Sequence, residues 1–342
     1  MHDIKNRRIF LKRTRFDEIR PELLYVGGSI NIYSRHLKIV DYSDDYTRIK
    51  LGTQAERTCA LVKPDGVANL GKILDAIAQS RLVVSQLRMC RLTKEEAQRF
   101  YVDHAHKPFF NKLTTFMSSD RMVAMELIGP GAIATWRELL GPTDTETARN
   151  DAPSSLRACF GTDGTANACH GSDSTTSAQQ ELSFFFSSGP LGKCCEAQNS
   201  TLGIVKPHVV KEGSAGMIID KIQEKGLSIV AMQMFNLDKV NAAEFYEVYR
   251  GVVNPGEFSG MVSELMSGPC IAMEIMDPNG ENVVEDFREL CGPSDPELAR
   301  VLRPKSLRSL FGQAKVQNAI HCTDLEEDGE LEVNYFFTIL QE

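Results

Sequence analysis

Two tandem α+β units of the split βαβ kind, set behind a short β-rich segment, are what this 342-residue sequence calls for. The first ground is an internal repeat. Residues 155–170 read SLRACFGTDGTANACH and residues 306–321 read SLRSLFGQAKVQNAIH, identical at eight positions. Chance gives about one match in so short a window. The second ground is that the repeat extends outward. GPTDTETAR (141–149) answers GPSDPELAR (292–300), Ala124-Met125-Glu126 answers Ala272-Met273-Glu274, and LVKPDGV (61–67) answers IVKPHVV (204–210). The third is the order of apolar patterns inside each copy, which runs strand, helix, strand, helix, strand, helix.

The offset between copies is 143 residues at Lys63/Lys206 and 151 from Arg137/Arg288 onward, so the second copy carries eight extra residues in between. Insertions of this kind belong in loops. Unit one is placed at 54–187 and unit two at 200–342, with the Gly- and Ser-containing stretch 188–199 as a linker and 1–53 outside the repeat. Within the units, Arg57–Val62 and Leu202–Val205 read as buried strands. Gly71–Gln79 and Gly216–Lys225 have helical spacing, and Leu82–Cys90 and Leu227–Phe235 are strands again. Thr93 with Glu96 reads as a capping box, and Asn241 with Glu244 as its counterpart. Val123–Leu127 and Cys270–Ile275 are short strands, and a helix is expected to begin near Ser172–Ser174.

The bulk numbers are those of an ordinary soluble globular chain, 42% hydrophobic and 25% charged. No apolar run reaches membrane-span length, and MHDIKNRRIF lacks the apolar core of a secretory signal, so neither a membrane nor export is expected. Nine cysteines with no framework spacing read as reduced thiols of a cytoplasmic protein. Cys159, Cys169 and His170 lack the spacing of a zinc site, and no metal site is expected. A net charge of −8 argues against a general or sequence-specific nucleic-acid binder. The basic run Lys5, Arg7, Arg8, Lys12, Arg13 and Arg15 is either a solvated strand face or a dock for an acidic surface.

The chemistry sits in the repeated residues. Each copy fixes an Arg, an Asn and a His at one spacing. In unit one Lys63, Arg137, Arg157, Asn167 and His170 recur in the pattern, with Tyr101, Phe109 and Thr143 near them. Converging cations call for a polyanionic ligand, an exposed aromatic ring can stack on a base, and a free imidazole is a nucleophile. A satisfied structural histidine is the alternative for either copy. Gly66 to Lys72 fits GxxxxGK, but Ile73 stands where a P-loop needs Ser or Thr, so helix entry is the better reading.

VKPDGV, PFF, GPT, LRxxFG and NxxHGSDS together resemble the nucleoside diphosphate kinase family across the whole of unit one. The resemblance implies a ferredoxin-like fold and a ping-pong transfer of the γ-phosphate from a nucleoside triphosphate to a diphosphate, with Mg²⁺ carried by the nucleotide. It implies His170 as the phosphorylated residue. Lys63, Tyr101, Arg137, Thr143, Arg157 and Asn167 would hold phosphates and ribose, and Phe109 would stack on the base beside Leu113. Ser172 and Glu181 would orient the histidine. In unit two Lys206, Tyr246, Arg288, Arg308, Asn318, His321 and Glu332 match, and Ser294 replaces the Thr. His208 replaces the Asp of KPD, Cys322-Thr323 replaces Gly-Ser after the histidine, and Glu257 or Phe258 falls at the stacking position. The missing Gly is expected to restrict the backbone there, and unit two to be impaired.

The segment NRRIFLKRTRF…VGGSINIYSRHLKIVDYSDDYT resembles the last part of a DM10 domain. At about fifty residues it is too short to close its own core. It is expected to continue upstream in a longer form of the protein or to be ordered by a partner. A DM10 segment before two such units resembles the ciliary branch of the family. That implies an inner protein of axonemal doublet microtubules, with tubulin and γ-tubulin complexes as partners and the axoneme, centrosome or basal body as its place. Three readings stand: a phosphotransferase acting through His170, a structural axonemal brick with little turnover, and, more weakly, a 3′–5′ exonuclease. No acidic two-metal cluster stands out for the last.

Overall fold

Strands and helices follow the apolar patterns closely. The structure, a computed structural model, describes all residues except 15, 17, 18, 20–23, 26, 27, 33, 34, 53–55, 188–190, 193, 279, 281 and 342. Arg15 of the basic run, the boundary at 53/54 and the start of the linker lie outside the described residues.

The N-terminal segment holds two hairpins, β1 (His2–Asp3) with β2 (Arg8–Ile9) and β3 (Ser29–Ile32) with β4 (Arg35–Lys38). It then forms a helix, α1 (Asp45–Gly52), which the β-rich expectation did not include. Asp44, whose carboxylate accepts from Thr47 N, supplies the start signal.

Unit one runs β5 (Glu56–Val62), α2 (Leu70–Gln79), β6 (Val83–Cys90), α3 (Lys94–Phe100), α4 (Phe110–Met117), β7 (Met122–Gly129) and α5 (Ala132–Leu140). It continues with α6 (Thr145–Asp151), α7 (Leu156–Phe160), β8 (Cys169–Gly171) and α8 (Thr175–Phe186). Unit two repeats this as β9 (Thr201–Val205), α9 (Pro207–Glu212), α10 (Ala215–Glu224), β10 (Ser228–Phe235), α11 (Lys239–Phe245) and α12 (Pro255–Leu265). Then come β11 (Cys270–Met276), α13 (Val283–Cys291), α14 (Pro296–Leu302), α15 (Leu307–Phe311), β12 (Ile320–Cys322) and α16 (Gly329–Phe337). In the first unit a short 3₁₀ turn, Pro64–Asn69, occupies the place of α9.

Thr93 caps α3 through the expected box with Glu96. The counterpart in unit two is Asp238, not Asn241. Its carboxylate accepts from Asn241 N, so Asn241 is the third helical residue. An aspartate satisfies the free N–H groups of a first turn as well as asparagine does, and it stands one turn earlier. Ser174 caps α8, within the expected start. Five of the eight extra residues fall in two loops, before α10 and before α13, and the other three lengthen α12 relative to α4, so loops do not hold them all. The offset steps to 145 at Tyr101/Tyr246, to 148 at Ala124/Ala272 and to 151 at Arg137/Arg288.

The eight strands make one sheet in the order β12-β9-β11-β10-β6-β7-β5-β8, and the pairs are antiparallel. Each half has the ferredoxin-like order, and the halves meet edge to edge where Gln233 lies opposite Arg88. Closing the two free edges on each other removes a hazard for aggregation. Behind the sheet, α2 packs on α10. A Cβ on Gly71 would lie 2.3 Å from Asp220 N, and one on Gly216 would lie 2.5 Å from Asp75 N and 2.7 Å from Gly71 O. The glycine of the GxxxxGK string therefore serves helix packing, and Gly66 sits in the 3₁₀ turn. Gln223 spans the same seam, with Nε2 2.8 Å from Val67 O and Oε1 3.1 Å from Gly71 N. Ile73, Ile77, Ile218, Ile219 and Ile222 are fully buried in a core that runs through both units. Each such side chain stabilises the fold by about 1.5–3 kcal/mol relative to exposure.

The repeated Ala-Met-Glu strands hold the segments that precede each unit. Glu126 is buried, pairs with Arg57, and accepts from Ser85 Oγ at 2.7 Å and Gln86 Nε2 at 2.8 Å. Arg57 in turn lies 5.9 Å from the ring centre of Tyr25 in the N-terminal segment. Glu274 is fully buried and accepts from Glu196 N at 3.1 Å and Ala197 N at 2.6 Å, so the end of the linker is fixed to unit two.

Candidate functional site

In unit one the site forms where the C-terminal end of β5 meets the loop into β8. Lys63 directly follows β5, and its backbone N donates to Ala168 O at 2.8 Å. Its ammonium donates to Asn167 Oδ1 at 2.7 Å and Thr165 O at 2.9 Å. Asn167 Nδ2 donates to Thr143 O at 2.8 Å. Arg157, from α7, donates to Gly141 O at 2.9 Å, to Cys169 O at 3.3 Å and to Thr143 Oγ1 at 3.5 Å. Arg137, near the end of α5, is exposed and close enough for its charge to act on Arg157 and Asp173. Five of the residues named from sequence are thus brought together by hydrogen bonds or charge: Lys63, Arg137, Thr143, Arg157 and Asn167. Two buried polar atoms there, Tyr101 Oη and Arg157 Nε, have no protein partner. Such atoms are costly unless a ligand or water meets them.

His170 is the middle residue of β8, opposite Leu61. Ala168, two residues before it, has φ +62°, a left-handed conformation that costs a non-Gly residue about 1–3 kcal/mol. Ala168 is held there by Lys63 N on its carbonyl and by its own N–H on Asp65 Oδ2 at 2.9 Å. Trp136 Nε1 donates to His170 O at 3.1 Å. The imidazole Nε2 lies 3.0 Å from Glu181 Oε1 on α8, Ser172 Oγ donates to Glu181 Oε2 at 2.7 Å, and Cys59 N donates to Ser172 Oγ at 3.2 Å. A carboxylate can only accept, so Nε2 carries the hydrogen, and in the neutral ring Nδ1 keeps the lone pair. Phe100 and Tyr101 approach the ring edge-on at 5.8 and 6.1 Å. Phe109 is 47% exposed at the start of α4, with the His104 ring tilted at 5.9 Å from it, while Leu113 beside it is buried.

Unit two reproduces the histidine's support. His321 Nε2 is 2.9 Å from Glu332 Oε2, Thr323 Oγ1 donates to the same oxygen at 2.8 Å, and Leu202 N donates to Thr323 Oγ1 at 3.1 Å. Thr323 therefore does what Ser172 does, because only the hydroxyl is used. The expectation that the missing Gly restricts the backbone is corrected: β12 pairs with β9 as β8 does with β5, and Ala319 has φ +71°. The differences lie elsewhere. Arg288 is taken by Asp324, through Oδ1 at 3.2 Å and through its carbonyl. Tyr249 Oη closes on Asp324 Oδ2 at 2.6 Å. Lys206 bonds Val316 O at 2.9 Å, while Asn318 donates to Ser294 O at 3.0 Å and its Oδ1 has no protein partner. At the stacking position Phe258 is half-buried under Arg250, and Glu257 is tied to Lys315 at 2.9 Å. Lys206, Tyr249, Arg288, Asn318, His321 and Asp324 line a cavity of about 1120 Å³.

Four residues have parts that sequence reasoning missed. Asp324 and Tyr249 meet only through the folded loops. His208, read as a loss of the KPD aspartate, is buried with Nδ1 2.7 Å from Glu264 Oε1, and Gln317 holds the other Glu264 oxygen at 3.1 Å. Trp136 had a visible signal, as the chain's one tryptophan.

Burial, aided by the Arg157 charge, holds Lys63 down to about 8, from an ordinary value of 10.5. Below pH 8 its charge is available to a phosphate, and above pH 8 it is lost. Nucleotide affinity of unit one is therefore expected to fall as pH rises from 7 to 9.5, which titration calorimetry reads directly; unchanged affinity would remove Lys63 from the phosphate site. The sign for stability is opposite. The folded lysine sheds its proton before the unfolded one, so its contribution to stability rises between about pH 8 and 10.5.

The family profile of nucleoside diphosphate kinases matches residues 56–191 and again residues 199–341. The chain belongs to the nucleoside diphosphate kinase family. Nucleoside diphosphate kinase homolog 7 of Mus musculus is 50% identical over 343 residues, covering 99% of this chain and 86% of that protein. The Rattus norvegicus homolog 7 is 51% identical over the same length. A nucleoside diphosphate kinase of Aquifex aeolicus is 51% identical over 134 residues, 39% of this chain and 94% of its own. A whole single-unit kinase thus corresponds to one of the two nucleoside diphosphate kinase units here.

Proposed function

We propose that unit one is a working nucleoside diphosphate kinase site and that unit two is an altered copy with a mainly structural part. The observation that carries the proposal is the His170 ring, held through Nε2 with Nδ1 bare, beside Lys63, Arg137 and Arg157. In the proposed step, Nδ1 attacks the γ-phosphorus of a nucleoside triphosphate and the bond to the β-phosphate oxygen breaks. The electron pair leaves with the nucleoside diphosphate. Glu181 steadies the cationic ring, and the reverse step delivers the phosphoryl group to a second diphosphate. Lys63, Arg157 and Arg137 are donors placed for phosphate oxygens, and Phe109 offers a face to the base.

Initial rates with ATP and GDP both varied test the reading. Parallel double-reciprocal lines are expected from an enzyme that is phosphorylated before the acceptor binds, and intersecting lines would contradict it. The structural part for unit two is favoured by Arg288, which Asp324 already holds.

We infer also that the protein works on axonemal microtubules. The resemblance of the N-terminal segment supports this, as does the exposure of Lys5, Arg7, Arg8, Lys12 and Arg13. Co-sedimentation with microtubules is expected, and it should weaken when the acidic tubulin tails are removed by protease. Equal pelleting with and without the tails would reject the basic run as the dock.

A further inference from the structure

The Gly-to-Cys change after the second histidine is matched by changes around it. In unit one a Cβ on Gly171 would lie 2.5 Å from Trp136 Cδ1, 2.6 Å from Trp136 Nε1 and 3.1 Å from Leu140 Cδ1. The residues 151 positions further on are Cys322, Phe287 and Cys291. A smaller ring replaces the indole, and a thiol replaces the leucine. The space denied to a side chain in unit one is thus opened in unit two, and two sulfurs fill it. Both are free thiols, Cys291 fully buried and Cys322 3% exposed, with Cys322 lining the 1120 Å³ cavity. The site arginine reaches one of them. Arg157 meets the Cys169 carbonyl through Nη2, whereas Arg308 meets the equivalent carbonyl, Ile320 O, through Nε at 3.2 Å and has Nη2 left to donate to Cys322 Sγ at 3.3 Å.

We propose that Cys322 is an oxidation site at the floor of the unit-two cavity, with a hydroperoxide as the oxidant and Cys291 as the resolving thiol. In the first step the Cys322 sulfur attacks the distal oxygen of the O–O bond. An S–O bond forms, the O–O bond breaks, sulfur is oxidised to the sulfenic acid, and the hydroperoxide leaves as alcohol or water after taking up a proton. In the second step the Cys291 sulfur attacks the sulfenic sulfur, the S–O bond breaks, and water departs with the Cys291 proton.

The electrostatics agree with these roles. The neighbouring Cys291 thiol pulls the Cys322 thiol down, and the Arg308 charge adds to this. Burial and the same contact push Cys291 up, as befits a thiol that waits as a proton donor. Forming the disulfide takes the Cys322 thiol out of its contact with Arg308 Nη2, so redox state changes what that arginine presents to an anion.

The test uses the full chain and its exposed Cys159 as an internal standard. The protein is treated with limiting hydrogen peroxide at pH 7, the remaining thiols are alkylated, and peptides are read by mass spectrometry. Cys322 is expected to be consumed about tenfold faster than Cys159, and the non-reduced digest should contain a Cys291–Cys322 linked peptide. In Cys291→Ser, dimedone should trap the sulfenic acid on Cys322. Oxidation of Cys159 ahead of an intact Cys322, or Cys322 oxidation without the linked peptide, would overturn the proposal.

Discussion

His170→Ala is expected to abolish phosphotransfer, lowering kcat/KM by at least about 10⁴-fold, because it removes the atom proposed to bond to phosphorus. His321→Ala should change turnover by no more than about twofold, since the two histidines belong to separate units with separate support. The contrast rests on the neighbours and not on the imidazoles. Each ring is held by a glutamate on the following helix, at 3.0 Å in unit one and 2.9 Å in unit two. What differs is the phosphate side. Arg137 is exposed next to Arg157, while Arg288 is paired with Asp324, which Tyr249 also holds. A nucleotide entering unit two must break that cluster first. Turnover assays on both variants, with far-UV circular dichroism to show that each remains folded, check the result. Equal losses from the two substitutions would mean that both sites turn over.

Gly216→Val is expected to give the largest loss of stability, about 3 kcal/mol or more, because its Cβ would sit 2.5 Å from Asp75 N and 2.7 Å from Gly71 O. Backbone atoms cannot swing aside as a side chain can, so α10 must move off α2. The seam between units then loses apolar burial around Ile73, Ile77, Ile218 and Ile222 as well. Gly164→Ala is the control, since nothing lies within 4 Å of its added carbon, and it should fall within about 0.5 kcal/mol of the parent. Urea denaturation measures both. Equal midpoints for the two variants would show that the close approach of the helices does not hold the units together.

Much of the scaffold was readable because its central strands are apolar on both faces. Strand β7, for example, is buried along its whole length, so a run of apolar residues marked it without any alternation. Strand β8, which carries His170, was not readable, since three residues are too few to show a period. Helix α1 was missed for a related reason: DYTRIKLG has little apolar face to reveal it. In unit two Asn241 and Glu244 mimic the Thr93–Glu96 pair, but Asp238, three residues earlier, is the cap.

The site divides in the same way. Lys63, Asn167, Arg157 and His170 were legible because they recur at fixed spacing. The Arg288–Asp324–Tyr249 cluster was not, because a helix, a 3₁₀ turn and a loop far apart in sequence must first fold together. Cys322 was read as damage when the residue was taken alone. Beside Phe287 and Cys291 it is a fitted replacement, and that fit depends on positions 31 and 35 residues away.

The central claim is that one histidine of two carries phosphate, and peptide mapping of the phosphorylated chain tests it most directly. The protein is incubated briefly with Mg-ATP and no acceptor, digested at alkaline pH to preserve phosphohistidine, and read by mass spectrometry. The account predicts acid-labile phosphate on His170, close to one per chain, with His321 unmodified. Phosphate on His321 at a comparable level, or none on His170, would contradict it.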